Sequence, residues 1–210
     1  MIDISYINGY VPPHLASNAA FQKHILKEYI QLMVLDYLAD TPYIGKLAFI
    51  GGTNLRLIKG IDRFSEDLDF DCKNLSEPEF MEMTDGIVVF LKNSGLNVES
   101  RDKVNPKLTA FRRNIYFPEF LFELGLTGHR DERFLLKIEA QDQGVPYPVE
   151  TRHVQRCGFF FSLPAPPDSV MLGMKLSALL ARAKSRDFYD VCFLCSRPSH
   201  PTNFFHKEWE

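Results

Sequence analysis

Arg63-Phe-Ser-Glu-Asp67-Leu-Asp69-Phe-Asp71-Cys72 alternates acidic and apolar side chains from Asp67 onward. Successive side chains of a β-strand point to opposite faces, so Asp67, Asp69 and Asp71 fall on one face and Leu68, Phe70 and Cys72 on the other. Aspartates at i and i+2 stand roughly 6–7 Å apart at their bases. At that spacing hard oxygen ligands can share or flank a pair of Mg²⁺ ions beside a phosphate chain. Read alone, the run is equally the solvent face of an edge strand. A calcium loop is excluded, because its glycine would fall on Cys72 and its bidentate glutamate on Pro78.

The setting of the aspartates shifts the balance. Upstream, Lys46-Leu-Ala-Phe-Ile50 reads as a short buried strand that stops at Gly51-Gly52, and residues 53–59 read as a short helix. A turn without side chains lets backbone N–H groups approach phosphate oxygens at a helix start, so Gly51, Gly52 and Thr53 are expected to cradle a triphosphate. No Gly-Lys-Ser/Thr follows and no Gly-x-Gly-x-x-Gly is present, which excludes a Walker loop and a dinucleotide fingerprint. Arg63 and Ser65 flank the aspartates, either positioning a phosphate or bracing the loop. Downstream, Leu136-Lys-Ile-Glu139-Ala lies in an alternating strand over residues 134–141, which makes Glu139 the third carboxylate. Lys137, on the same face, either neutralises it or touches substrate.

Beyond this nucleus the chain reads as mixed α and β. Ala19–Ala39 carries apolar residues at helical spacing and is expected to be an amphipathic helix. Residues 78–94 read as a helix, and residues 97–103 and 108–117 as strands. Leu163-Pro-Ala-Pro-Pro167 is expected to be a helix-breaking connector, with helices after it over residues 169–184 and 186–196. These features divide the chain into a unit of residues 1–160 and a helical C-terminal region of residues 161–210. The 210 residues are 45% hydrophobic and 24% charged, an ordinary globular composition. No apolar run is long enough to span a bilayer, and no signal segment is evident at the start, so a cytoplasmic protein without membrane contact is expected. Four scattered cysteines make no disulfide framework. A net charge of -3 means that any nucleic acid must meet a local basic patch.

Gly51-Gly-Thr-Asn-Leu-Arg-Leu57, Arg63-Phe-Ser-Glu-Asp-Leu-Asp-Phe70, Lys175-Leu-Ser-Ala-Leu-Leu-Ala-Arg182 and Arg186-Asp-Phe-Tyr-Asp190 together resemble the AbiEii-type nucleotidyltransferase family. That family is the toxin half of abortive-infection and related toxin–antitoxin pairs. The resemblance implies an α+β, polymerase-β-like core, a short mixed sheet flanked by helices, followed by a small helical region. It implies Asp67 and Asp69 as ligands of Mg²⁺, or Mn²⁺ in its place, and Glu139 completes that set on the reading above. It also implies a triphosphate contact for Lys175 and a functional aspartate at Asp187. The activity implied is transfer of a nucleoside monophosphate from an NTP to a hydroxyl, on RNA and notably tRNA 3′ ends, countered by a cognate antitoxin protein. The alternative is a catalytically silent nucleotide- or antitoxin-binding module on the same fold.

Several residues keep a purely structural reading beside the functional one. Lys175 can be a solvated flank of its helix, and Asp187 can be the N-cap of the last helix. Arg182, Lys184 and Arg186 form the densest basic cluster and are candidates for phosphate contacts. Arg112 and Arg113, among Phe111, Tyr116 and Phe117, offer charge and stacking to RNA or make a half-buried strand. Cys192-x-x-Cys195 followed by His200 and His206 has zinc-ligand types, although buried free thiols in a helix are the commoner reading.

Overall fold

The computed structural model describes residues 2–102 and 109–197. Two short helices, α1 (Ile4–Asn8) and α2 (Pro13–Ala16), precede the long helix α3 (Ala19–Ala39), whose first turn is capped by the Asn18 side chain accepting from Ala20 N–H. Strand β1 (Leu47–Ile50) runs straight into α4 (Gly51–Asn54) and a π-helical turn, Leu55–Lys59. Next come β2 (Asp67–Cys72), α5 (Glu77–Asn93), β3 (Glu99–Ser100), β4 (Phe111–Phe117), the single turn α6 (Phe120–Glu123) and β5 (Phe134–Gln141). A hairpin of β6 (Glu150–Arg156) and β7 (Phe159–Ala165) leads to helices α7 (Asp168–Arg182) and α8 (Ser185–Cys195).

The five-stranded sheet has the order β1-β2-β5-β4-β3, with β2 parallel to β5 and the other neighbours antiparallel. Register sorts the side chains. Leu68 pairs with Ile138, Phe70 with Ala140, and Ile115 with Leu136, so one face is apolar and all six side chains are buried in the main core with α3 and α5. Asp67 pairs with Lys137, Asp69 with Glu139, and Arg112 with Glu139, so the opposite face is polar at its centre. A strand read as a solvent edge is therefore an interior strand of the sheet.

Helix α5 starts on a capping box, in which Ser76 and Glu79 bond each other's backbone N–H groups; such a cap stabilises the helix by about 1 kcal/mol. Helix α3 is not amphipathic in the expected sense. Ile30, Gln31 and Leu32 are consecutive and all buried, because the helix is packed on one side by α5 and on another by the β6–β7 hairpin. That hairpin lies where no element was expected. Its two-residue turn, Cys157-Gly158, has both residues at positive φ, as a tight right-twisting hairpin requires. The expected connector is strand in its first part, with Pro164 paired opposite Thr151. The strand expected over residues 97–103 is reduced to Glu99–Ser100, and the one over residues 108–117 begins at Phe111; residues 103 and 108 lie outside the described residues. Leu55, Ile61, Met171, Leu172 and Leu194 form a second, smaller core that joins α7 and α8 to the π-helical turn.

Candidate active site

The polar centre of the sheet opens into a cavity of about 310 Å³ between the sheet and the C-terminal helices. Asp67, Asp69 and Glu139 line it from the strands, Arg63, Ser65 and Gly52 from the segments beside them, and Lys175, Arg182, Arg186 and Asp187 from α7 and α8. The site therefore combines carboxylates on a rigid floor with a cationic wall.

On the floor, the Lys137 ammonium lies 2.9 Å from both Asp67 Oδ2 and Glu139 Oε2, and Arg112 pairs with Glu139 from β4. Burial pushes the Glu139 carboxyl up, but the Lys137 and Arg112 hydrogen bonds outweigh it and hold the group below its ordinary value. Asp69 goes the other way. Burial, then the negative charges of Asp67 and Glu139, push it up to about 6, only partly offset by Lys137 and Lys175. A carboxyl raised by burial and by two neighbouring carboxylates, as Asp69 is, belongs to the kind of donor set that a divalent cation relieves. As the side chains stand, however, among the described residues no three carboxylate, histidine or cysteine groups converge closely enough to hold a metal ion; Lys137 supplies the positive charge between Asp67 and Glu139.

Gly51 is required by what lies against it, and Gly52 is crowded by side-chain ends. A Cβ on Gly51 would stand 2.2 Å from Asp69 Oδ2, and its φ of +78° is itself left-handed. A Cβ on Gly52 would stand 2.6 Å from Ser65 Oγ and 2.8 Å from Arg63 Nη2. The Thr53 side chain is wholly buried and its hydroxyl donates to the Asp67 carbonyl. Thr53 braces β2, since the helix start packs directly on that strand, and its hydroxyl is not available to a phosphate.

The cationic wall is held by α8. Asp190, buried, accepts from Arg63 Nε at 2.7 Å and Nη2 at 2.6 Å, and lies 2.9 Å from Lys175 Nζ. Asp187, equally buried, takes both arms of the Arg182 fork at 2.7 and 2.6 Å. The Arg182 bond is the main reason that the Asp187 carboxyl sits below its ordinary value. Asp187 is thus not the cap of its helix, which begins after Lys184. Lys175 is buried, not a solvated flank residue. Asp190 was read only as the end of the Arg186–Asp190 motif and given no role of its own; its i, i+3 spacing from Asp187 puts both on one helix face.

Arg112 and Arg113 separate. Arg112 turns to Glu139, while Arg113 is buried on the other face, bonded to Thr84, Asp85 and Asp102. Arg113 is therefore unavailable to a nucleic acid, because alternation along β4 sends neighbours to opposite sides. Cys192 and Cys195 are free and exposed; His200 and His206 lie outside the described residues. Among the described residues, no helix is long and apolar enough to cross a membrane.

Comparison with known proteins gives one family match. A family model described as nucleotidyl transferase AbiEii toxin, type IV toxin–antitoxin system, matches residues 34–208. Among solved structures, MenT4, a nucleotidyltransferase toxin from Mycobacterium tuberculosis, superposes with a TM-score of 0.68 at 20% identity. The match covers 94% of this chain and 65% of that one, so the chain spans just under two thirds of MenT4. JHP933 from Helicobacter pylori superposes with a TM-score of 0.54 at 23% identity, over 83% of this chain and 67% of that one. Likeness at these identities concerns the fold alone. No curated protein matches the chain.

Proposed function

Since the chain belongs to the AbiEii nucleotidyl transferase toxin family of type IV toxin–antitoxin systems, we propose that it transfers a nucleoside monophosphate from an NTP to a hydroxyl acceptor, RNA and in particular a tRNA 3′ end. The observation that carries this reading is the meeting of Asp69, Asp67 and Glu139 with Lys175, Arg182 and Arg63 in one cavity. Phosphoryl transfer asks the protein for positioning and charge compensation more than for covalent chemistry, and this cavity supplies both.

Asp67, Asp69 and Glu139 would hold Mg²⁺, or Mn²⁺ in its place, which when bound neutralises phosphate charge and activates the attacking oxygen. The chain's own residues do the rest. Arg63, Lys175 and Arg182 would take the outer phosphates, and the buried Asp187 and Asp190 keep those cations aimed into the cavity. Gly51 and Gly52 keep the floor open beside Asp69 and Ser65. The acceptor hydroxyl gives its proton to water as its oxygen bonds to the α-phosphorus, the bond from the α-phosphorus to the oxygen bridging it to the β-phosphate breaks, and pyrophosphate leaves toward the cationic wall. Glu139, paired with Lys137 and Arg112, is held below its ordinary value and so takes up a proton weakly, which suits a ligand better than a base. A cognate antitoxin would counter the activity in a cytoplasmic setting.

The test is incubation of purified protein with each labelled NTP, Mg²⁺ and total RNA. Label in RNA is expected, and Asp69→Ala should abolish it without changing the circular dichroism spectrum. Full incorporation by Asp69→Ala overturns the assignment. Nucleotide binding without incorporation would mark the silent binding module, and RNA shortening without NTP a nuclease.

A further inference from the structure

A second cavity, of about 330 Å³, lies on the other flank of the same carboxylates, between α7 and the sheet. It shares Asp69, Glu139, Lys175 and Arg182 with the first cavity, but its remaining walls differ in kind. Met171, Met174 and Ala178 line it from α7, and Gln141 and Gln143 from the end of β5 and the loop after it. Thioether and methyl groups make a flat, polarisable wall, and primary amides offer donors and acceptors together. The walls that this cavity does not share carry no cation, so they suit a planar ring with hydrogen-bonding edges better than a polyanion.

The amide side of this cavity is built on a fixed backbone. Asp71, which shares the strand face of Asp67 and Asp69 without lining either cavity, accepts from Gln143 N–H at 2.9 Å and from the Tyr147 hydroxyl. It thereby ties the loop that carries Gln143 to β2. Gln141 is oriented by donation from Nε2 to Thr109 Oγ1 at 3.1 Å. Contacts that anchor the loop to the buried Asp71 hold the pocket in shape before anything binds.

We propose that this second cavity is a nucleobase pocket, with Met174 and Ala178 against the ring face and Gln141 and Gln143 at its edge. The inference rests on the nucleotidyltransferase reading of the site and assigns the specificity that reading leaves open. Two nucleotides can supply the base, the incoming NTP or the terminal residue of the acceptor, and the experiment separates them.

Binding of each ribonucleoside triphosphate, and of tripolyphosphate as a probe without a base, is measured by calorimetry with Mg²⁺ for wild type, Ala178→Leu and Met174→Ala. Incorporation into RNA is measured in parallel. Ala178→Leu fills the cavity and Met174→Ala empties its wall, so a folding defect in the first does not remove the test. If the NTP base occupies the pocket, NTP affinity falls about tenfold in both variants while tripolyphosphate affinity is unchanged. If the acceptor base occupies it, NTP affinity holds and the KM for RNA rises about tenfold. Unchanged NTP affinity together with unchanged KM for RNA overturns the pocket alone. A wild-type chain that binds neither NTP nor tripolyphosphate overturns the reading beneath it as well.

Discussion

Gly51 is glycine for two reasons that act on one neighbour. Its φ lies in the left-handed region, and a side chain would be driven into the Asp69 carboxylate. Gly51→Ala should therefore displace Asp69 rather than merely strain the turn. Nucleotidyl transfer is expected to fall about a hundredfold, the scale set by a displacement of about 1 Å in a reacting group, with a small fall in Tm; near-wild-type kcat would refute the contact. At this scale the sequence was informative wherever meaning was local. Aspartates two apart on a strand and a Gly-Gly turn before them need no distant partner to be read. Thr53, Arg113 and Asp71 could not be placed in that way, because whether a polar side chain faces a cavity or a core depends on register with strands and loops far along the chain.

Helix α8 contributes to the site through the faces it buries. Asp187 and Asp190, three residues apart, reach back to Arg182 of α7 and to Arg63 and Lys175, so one helix sets three cations of the wall. Asp190→Asn keeps the shape but leaves two cations sharing an uncharged partner. A loss of about 3 kcal/mol is expected from breaking a buried pair, measured by urea denaturation, together with a higher KM for NTP and a smaller change in kcat. An unaltered KM would show that the clamp serves stability alone. The long helices α3, α5, α7 and α8 were legible in the sequence, whereas the short α1, α2 and α6 were not. Nor was the β6–β7 hairpin. Only Val154 is fully buried along β6, so its alternation is weak, and Pro164 argues locally against the strand that β7 forms.

Across the whole molecule, the main core and the smaller C-terminal core are joined by polar links as well as apolar ones. Asp168, at the start of α7, pairs with Lys59 of the π-helical turn, and Arg197 and Arg152 approach it. Burial alone would raise the Asp168 pKa, but these cations hold it below its ordinary value. A carboxylate depressed in the folded state contributes stability above its unfolded pKa of about 4, and loses it as pH falls through the lower folded value. Asp168→Asn should thus cost about 2 kcal/mol at pH 7, because Lys59 is left buried without a charged partner. The gap to wild type should close below about pH 4; a gap independent of pH would discount the ion pair. The α+β architecture was legible as a class, whereas the point chosen for the division, after residue 160, falls inside β7. The parallel pairing of β2 with β5 has a further consequence, for biogenesis. The aspartates leave the ribosome long before Glu139, and Glu139 before the α8 residues that fix the cationic wall, so contacts distant in sequence must close before any active centre exists. On the proposed activity, a chain translated only as far as α7 lacks the Asp187 and Asp190 carboxylates that fix the cationic wall, so transfer would have to await the last helix.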